Sequence, residues 1–236
     1  MPRSYRIAAI PGDGIGIEVV EAGCTVLATL AGIEPELNFE VQRFDWGSEH
    51  YLRHGRMMPE DGVARLRPFD AILFGSAGDP RVPDHITLWG LRLAICQGMD
   101  QYANIRPTRL LPGIEGPLRG VGPDELDWVI IRENSEGEYS GAGGRVHQGF
   151  DHEVGLDVSV MTRKGVERII RYAFDIARSR PRKRLTVVTK SNAQRHAMVM
   201  WDTIAEEVRA DFPDVTCDRM LVDVMTTRMV LDPGSL

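Results

Sequence analysis

Along this chain the apolar positions switch between two periods, and the switches mark the elements. Tyr5 to Ile10 is a short apolar run closed by Pro11-Gly12-Asp13-Gly14, the pattern of a buried strand stopped by a turn. Ile15, Val19, Val26 and Leu30 then recur at helical spacing as far as Gly32, which predicts a helix. Leu37, Phe39 and Val41 alternate with polar neighbours as a strand does, and Ala71 to Phe74 is a continuous apolar run closed by Gly75-Ser76-Ala77-Gly78. The spacing of Leu88, Leu91 and Ile95 predicts a helix from Ile86 to Gln97, with strands at Asn104–Pro107 and Trp128–Arg132. A helix at Lys164–Arg178, a strand at Leu185–Val188 and helices at Ala193–Phe212 and Val222–Val230 complete the series. Strands alternating with helices predict an α/β fold, with a largely parallel sheet covered on both faces. Ser135 to Val160 breaks the rhythm, because Gly137, Gly141, Gly143, Gly144, Gly149 and Gly155 interrupt a polar stretch with no apolar face. Such a stretch predicts a projecting arm or hairpin outside the core.

The last residues, Asp232-Pro233-Gly234-Ser235-Leu236, are turn chemistry where a parallel sheet calls for another strand. The expectation is a chain cut short at its C-terminal side, with hydrophobic surface left open near Ile7, Ile72 and Phe74.

Composition narrows the classes of function. The 236 residues carry 28 basic and 34 acidic side chains, for a net charge of −6, so the broad cationic surface that binds nucleic acid is not expected. The 43% hydrophobic and 26% charged content is that of a folded globular protein. Its 3 cysteines, Cys24, Cys96 and Cys217, lie far apart without a CxxC pair, which suits a reducing compartment. The apolar run before Pro11 is too short for a signal peptide, and no later run approaches the roughly 20 residues of a membrane span, so a cytoplasmic location is expected.

Several residues are candidates for chemistry. Gly12-Asp13-Gly14-Ile15-Gly16 joins a strand to a helix, where backbone amides can hold an anion, although a tight turn alone accounts for it. It is not the dinucleotide fingerprint G-x-G-x-x-G, because the residue at the required position is Ile17. Arg92, Arg106 and Arg132 would suit a substrate with two carboxylates if their guanidinium forks converge, and taken singly each is equally a solvated surface charge. Lys190 follows the strand Leu185–Val188, where α/β folds place their ligands, and is either a base or a strand-end lysine in water. Tyr139 lies on the glycine-rich arm, where a half-buried packing aromatic accounts for it. Asp223 opens the last helix, where the helix dipole explains a carboxylate as well as metal binding does, and one carboxylate alone makes no Mg²⁺ or Mn²⁺ site.

In sequence order, the chain carries Ile10-Pro11-Gly12-Asp13-Gly14-Ile15-Gly16, Leu91-Arg92, Asn104-Ile105-Arg106-Pro107, Ile131-Arg132-Glu133-Asn134, Glu136-Gly137-Glu138-Tyr139-Ser140-Gly141, Thr189-Lys190-Ser191-Asn192 and Val222-Asp223. This series resembles the isocitrate/isopropylmalate dehydrogenase family over the whole chain. Within it, the segment Asp84 to Arg92 is most similar to the members acting on tartrate and D-malate. The resemblance implies an isopropylmalate-dehydrogenase-like fold, a mixed sheet flanked by helices, with a non-Rossmann NAD site and a projecting arm. It implies a first, cofactor-side domain at 1–97, a second domain at 98–236 with a dimerisation arm at about 135–160, and a homodimer with shared active sites. It further implies NAD- and metal-dependent oxidation, with decarboxylation, of a small 2-hydroxy diacid. By the same resemblance, Arg92, Arg106 and Arg132 bind substrate carboxylates and Lys190 takes the hydroxyl proton. Tyr139 protonates the enol carbon, and Asp223 is one ligand of Mg²⁺ or Mn²⁺. Gly75, Gly78, Asp79 and Asn192 lie by the cofactor, and a monovalent cation is compatible with the site.

The departures from the family pattern bear on substrate. Ile86 and Leu88 stand where isocitrate enzymes carry polar residues, leaving nothing for a third carboxylate. Trp89 lies near the position where isopropylmalate enzymes receive an alkyl group, so a bulky indole favours small diacids over 3-isopropylmalate, unless it is an ordinary core aromatic. The alternatives are a 3-isopropylmalate dehydrogenase and a catalytically silent fragment or regulatory subunit that keeps the arginine cleft.

Overall fold

The computed structural model describes residues 3–236, leaving Met1 and Pro2 of the expected first domain outside the described residues. Backbone contacts divide the chain into one unit ending at Gln101 and a second spanning Tyr102–Leu236, a boundary slightly later than the Gln97/Gly98 position read from sequence.

In the first unit, β1 (Arg3–Gly12) is central to a three-stranded parallel sheet of order β2-β1-β3, with β2 at Leu37–Arg43 and β3 at Ala71–Ser76. The continuous apolar run in β1 is explained by its position, since Ile7, Ala8, Ala9 and Ile10 are all buried. Helix α1 (Gly16–Ile33) connects β1 to β2. Two short helices that carry too few apolar repeats to be read from sequence, α2 (Ser48–His54) and α3 (Gly62–Leu66), precede β3. The predicted Ile86–Gln97 helix is α4 (Asp84–Thr87), a wider π-helical turn over Leu88–Leu93, and α5 (Ala94–Gly98). Ala8, Ile10, Phe44, Trp46, Met57, Leu66, Leu91 and Ile95 form one core, with Ile72 and Phe74 partly buried against it. The expected opening of surface at Ile7, Ile72 and Phe74 is therefore not observed.

Open apolar surface of this unit lies on α1 and the residue before it, where Ile15, Ile17, Val19, Val26 and Ile33 are exposed. By length and composition α1 meets the requirement for a membrane span, so the expectation that no segment does is overturned. Val20 is buried and Gly23 lies against Leu73 of β3, so within this unit α1 is docked on the sheet.

The second unit contains β4 (Ala103–Arg109) paired antiparallel with β5 (Asp127–Glu133), then a hairpin of β6 (Gly137–Val146) and β7 (Val154–Val160). The hairpin occupies the segment read as an arm. Helix α6 (Arg163–Ser179) starts with the Thr162 hydroxyl accepting from the Gly165 N–H, an N-cap that satisfies one otherwise unpaired donor. β8 (Arg184–Thr189) then pairs in parallel with β9 (Thr216–Leu221), and α7 (Ala197–Arg209) connects them. α7 is shorter than predicted at both ends. β9 was not predicted at all, because Asp218 and Arg219 interrupt its apolar run. One core joins Val166, Ile169, Ile170, Phe174 and Ala177 of α6 to Val187 of β8 and to Ile204, Ala205 and Val208 of α7. α8 (Val222–Leu231) and a short 3₁₀ turn, Pro233–Ser235, follow. That turn is fastened to the unit. The Trp128 indole N–H donates to the Pro233 carbonyl at 3.1 Å, the Arg182 guanidinium to the Gly234 carbonyl at 3.0 Å, and Arg228 Nε to Ser235 Oγ at 2.7 Å.

Candidate active site

In the second unit, register decides which side chains meet. Asn104 stands directly opposite Arg132 across the β4–β5 pair, and Arg106 lies two residues further along β4. Because side chains alternate across a strand, Asn104, Arg106 and Arg132 project from the same face. Arg106 Nε donates to Asn104 Oδ1 at 3.1 Å, and Asn104 Nδ2 donates to Asn134 Oδ1 at 3.3 Å. The Arg132 guanidinium lies 4.8 Å from the centre of the Tyr139 ring, a cation–π contact that places the phenol beside the arginine. Buried Glu133 closes the strand end, accepting from the Ser135 N–H at 2.9 Å, the Ser135 hydroxyl at 2.7 Å and the Glu136 N–H at 2.7 Å. Arg132 and Tyr139 also line a mainly apolar cavity of about 520 Å³ with Met198, Trp201 and Met225.

Lys190 and Asp223 come together for a different reason. β8 and β9 run in parallel with Thr189 opposite Leu221, so the residues leaving their C-terminal ends emerge side by side. Lys190 Nζ donates to Asp223 Oδ2, and the lysine holds the Asp223 carboxyl below the ordinary carboxylate range. The first turn of α8 adds the favourable end of the helix dipole. Asn192 lies in the exposed turn after Lys190, where the Ala193 and Gln194 N–H groups donate to the Lys190 carbonyl.

The first unit holds the remaining candidates. Gly12 has φ +67°, and a side chain there would collide with the Ser76 carbonyl, so the strand-to-turn junction requires glycine. The Asp13 N–H donates to the Ser76 carbonyl at 2.8 Å, the Gly16 N–H to the Asp13 carbonyl at 3.0 Å, and the Ile17 N–H to the Gly14 carbonyl at 3.3 Å. With these amides engaged, the motif serves as a tight turn tying β1 to β3. Gly75 is pressed against the Pro11 carbonyl and Gly16, which accounts for its missing side chain by close packing. Gly78 differs, with φ +143° and open space where a side chain would stand, the setting in which a ligand can approach the main chain. Next to it, Asp79 accepts from the Arg81 Nε at 3.0 Å and the Arg81 N–H at 2.8 Å, and the arginine lowers its pKa to about 2. Arg92 lies in the π-helical turn, half-buried. Trp89 on the same turn is 39% exposed, so it is not a core aromatic of its unit.

Sequence reading missed Asp13 and Ser48, both buried and bonded to each other. The available signal was a charged residue inside a glycine turn immediately after a fully apolar strand. The fit to a metal is poor within this chain: no group of three or more His, Cys, Asp or Glu side chains among the described residues can hold an ion, and Asp223 is bonded to Lys190.

Comparison with known proteins adds to this geometry. The family model described as isocitrate/isopropylmalate dehydrogenase matches residues 6–236. The chain is 64% identical over 234 residues to a probable tartrate dehydrogenase/decarboxylase of Agrobacterium vitis, covering 99% of this chain and 65% of that protein. It is 48% identical over 238 residues to the decarboxylating D-malate dehydrogenase of Escherichia coli, again covering 99% and 65%. Among solved structures, the crystal structure of isocitrate dehydrogenase from Methylococcus capsulatus superposes with a TM-score of 0.82 at 29% identity, over 98% of this chain and 65% of that one. The chain thus spans about 65% of the length of these relatives.

Proposed function

This chain belongs to the isocitrate/isopropylmalate dehydrogenase family, and on that footing we propose that it serves NAD-dependent oxidation and decarboxylation of a small 2-hydroxy diacid, D-malate or tartrate. The observation that carries the reading is the shared face of β4 and β5, where Arg106 and Arg132 stand together with the Tyr139 ring against Arg132. Two guanidinium forks on one face suit a dicarboxylate, because each binds a carboxylate bidentately. Arg92 carries the same assignment from the family resemblance alone. The choice of diacid follows the relatives named for tartrate and D-malate, and the exposed Trp89 indole disfavours a branched alkyl substituent.

NAD, when bound, supplies the hydride acceptor, and Gly78 and Asp79 of the first unit are assigned to it, while Asn192 carries that assignment from the family resemblance alone. Lys190 receives the hydroxyl proton as hydride leaves C2, and to do so its ammonium must first leave Asp223 and lose a proton to the solvent that reaches its side chain. Tyr139, oriented by Arg132, delivers a proton to the enol carbon left when CO₂ departs. The family's dehydrogenases generally use a divalent metal, for which this chain offers Asp223 and no complete site, so no step is assigned to the ion. A reducing cytoplasm fits Cys24, Cys96 and Cys217, all free thiols, with burial pushing the Cys217 thiol up to about 11.

The arm is assigned to a homodimer. Val146, Val154, Leu156 and Val158 share one face of the β6–β7 ribbon and are all exposed, with Leu156 at 59%. A two-stranded ribbon needs that face covered to be stable, and a second copy presents the same apolar stripe. Leu156→Glu should convert a dimer to a monomer in sedimentation analysis, and a monomeric parent protein sinks the assignment.

The decisive experiment is NADH formation from D-malate, tartrate and 3-isopropylmalate with Mn²⁺ present. Turnover of the small diacids supports the reading, preference for 3-isopropylmalate corrects the substrate, and no turnover of any favours a silent subunit.

A further inference from the structure

We infer that Asp13 is the positioning residue that fixes the Gly78 main chain, and with it the cofactor side of the first unit; the cofactor consequence rests on the function proposed above. Asp13 is 4% exposed and sits at the tip of the β1–α1 turn. Its Oδ1 accepts from the Ser48 N–H at 2.6 Å, and its Oδ2 accepts from the Ser48 hydroxyl at 2.8 Å and the Gly78 N–H at 2.8 Å. Ser48 opens α2 and Gly78 follows β3, so one carboxylate fastens elements that are 35 and 65 residues away in sequence. A buried carboxylate must be matched by donors, and here they come from a helix start and a loop that are distant from it in sequence. Gly47 makes room for it, since a side chain there would come within 2.8 Å of Asp13 Oδ1.

A second fastening joins the same two elements from outside. Arg81, three residues after Gly78, donates to Asp79 at 2.7 Å and to Glu49 of α2 at 2.5 Å. The turn from Gly78 to Arg81 is thus held to the first turn of α2 by a buried anchor and a solvent-facing one. Gly78 has φ +143° with open space beside it, a conformation that glycine adopts and other residues rarely do. The restraint matters to a ligand because a loop ordered in advance loses less entropy on binding.

The test compares Asp13→Asn with Ser48→Ala in the purified protein. Asp13→Asn puts an amide in place of one acceptor oxygen, whereas Ser48→Ala removes one hydrogen bond on the α2 side and leaves Gly78 bonded. The expected result is at least tenfold weaker NADH binding, by fluorescence titration, for Asp13→Asn. For Ser48→Ala the change should stay within twofold, and the KM for the hydroxy acid should stay within twofold in both. Equal losses in the two variants, or unchanged NADH affinity in a folded Asp13→Asn protein, overturn the inference. Amide hydrogen exchange of the wild-type protein supplies a readout that does not depend on the variants folding. The Gly78 N–H should exchange at least 100 times more slowly than an unbonded loop amide, and free exchange there overturns the positioning role directly. A wild-type protein that protects Gly78 yet binds no NADH leaves Asp13 as the anchor of the turn and overturns the cofactor reading instead.

Discussion

The turn at Gly78 and the pair at the ends of β8 and β9 both depend on a carboxylate, and they use it in opposite ways. Asp13 is buried and bonded to two backbone N–H groups and a hydroxyl, so its partners are fixed by the fold itself. Asp223 faces solvent with its side chain 63% exposed, and its partner is a flexible lysine that is itself 34% exposed. The first arrangement suits rigid placement. The second suits a group that must release its partner to act, because an exposed ion pair contributes little to stability and water readily replaces either member. Order and reactivity are therefore assigned to different carboxylates.

The largest effect that would sharpen this contrast is on stability. Asp13→Ala strands the Ser48 and Gly78 N–H groups in a buried site, and each orphaned donor costs roughly 1–3 kcal/mol, so a loss of about 3 kcal/mol is expected by chemical denaturation. A loss below about 1 kcal/mol would mean that water takes over the bonds and that Asp13 is no anchor. Lys190→Ala should do the reverse, lowering turnover at least about 10²-fold, the usual loss when an acid–base group is removed, while the denaturation midpoint hardly moves. An unfolded Lys190→Ala protein, or one with wild-type turnover, breaks the comparison from the other side.

What the sequence made legible follows the same division. Periodicity found β1, β3, α6 and β8 because each shows its core-facing residues at strand or helix spacing, and it found α1 and α8 through apolar residues that are largely exposed within their own units. It failed at β9, where Asp218 and Arg219 interrupt the apolar run, and at α2, whose seven residues hold little more than Tyr51 and Leu52 as apolar signal. The candidate site residues Lys190, Tyr139, Arg106 and Arg132 are visible as motifs. Their juxtaposition is not, since Lys190 meets Asp223 only through a parallel register that pairs Thr189 with Leu221 across the unpredicted β9. Asp13 stayed hidden inside a glycine motif because its partners are mostly main-chain groups, which leave no trace in residue identity.

The α1 and α6 helices show the limit of hydropathy as a guide to burial. α6 has 17 residues, of which Val166, Ile169, Ile170, Ala173, Phe174 and Ala177 repeat on one buried face. α1 has 18 residues and is more apolar overall, yet only Gly16 and Val20 are buried. A mean over the helix registers how apolar it is, whereas burial depends on which neighbours the fold brings against each face. Phe174→Ala should cost about 3–5 kcal/mol by denaturation, while Val26→Ala on α1 should stay within about 0.5 kcal/mol. A large loss at Val26 would show that its face is covered in solution.

The smallest expected effect concerns the outer fastening of the Gly78 turn. Asp79 is held by Arg81 first through side-chain hydrogen bonds, and its pKa falls from the ordinary 3.8 to about 2. Because the folded value is the lower one, the pair's contribution is complete above pH 3.8 and is lost as pH falls toward 2, when the carboxylate takes up a proton. Solvent and salt reach the pair through the exposed Arg81 side chain, so the change should be local, seen as added exchange at Arg81 and as a carboxyl resonance titrating well below that of a free aspartate. In Arg81→Ala the midpoint should return close to the ordinary 3.8, and 1 M salt should move the wild-type midpoint the same way. The buried Gly78–Asp13 bond should not respond to salt, because neither partner is accessible to the ions. If salt loosens Gly78 and Arg81 together, the two fastenings form a single surface-controlled unit, and the distinction between a buried anchor and a solvent-facing one fails within the first unit itself.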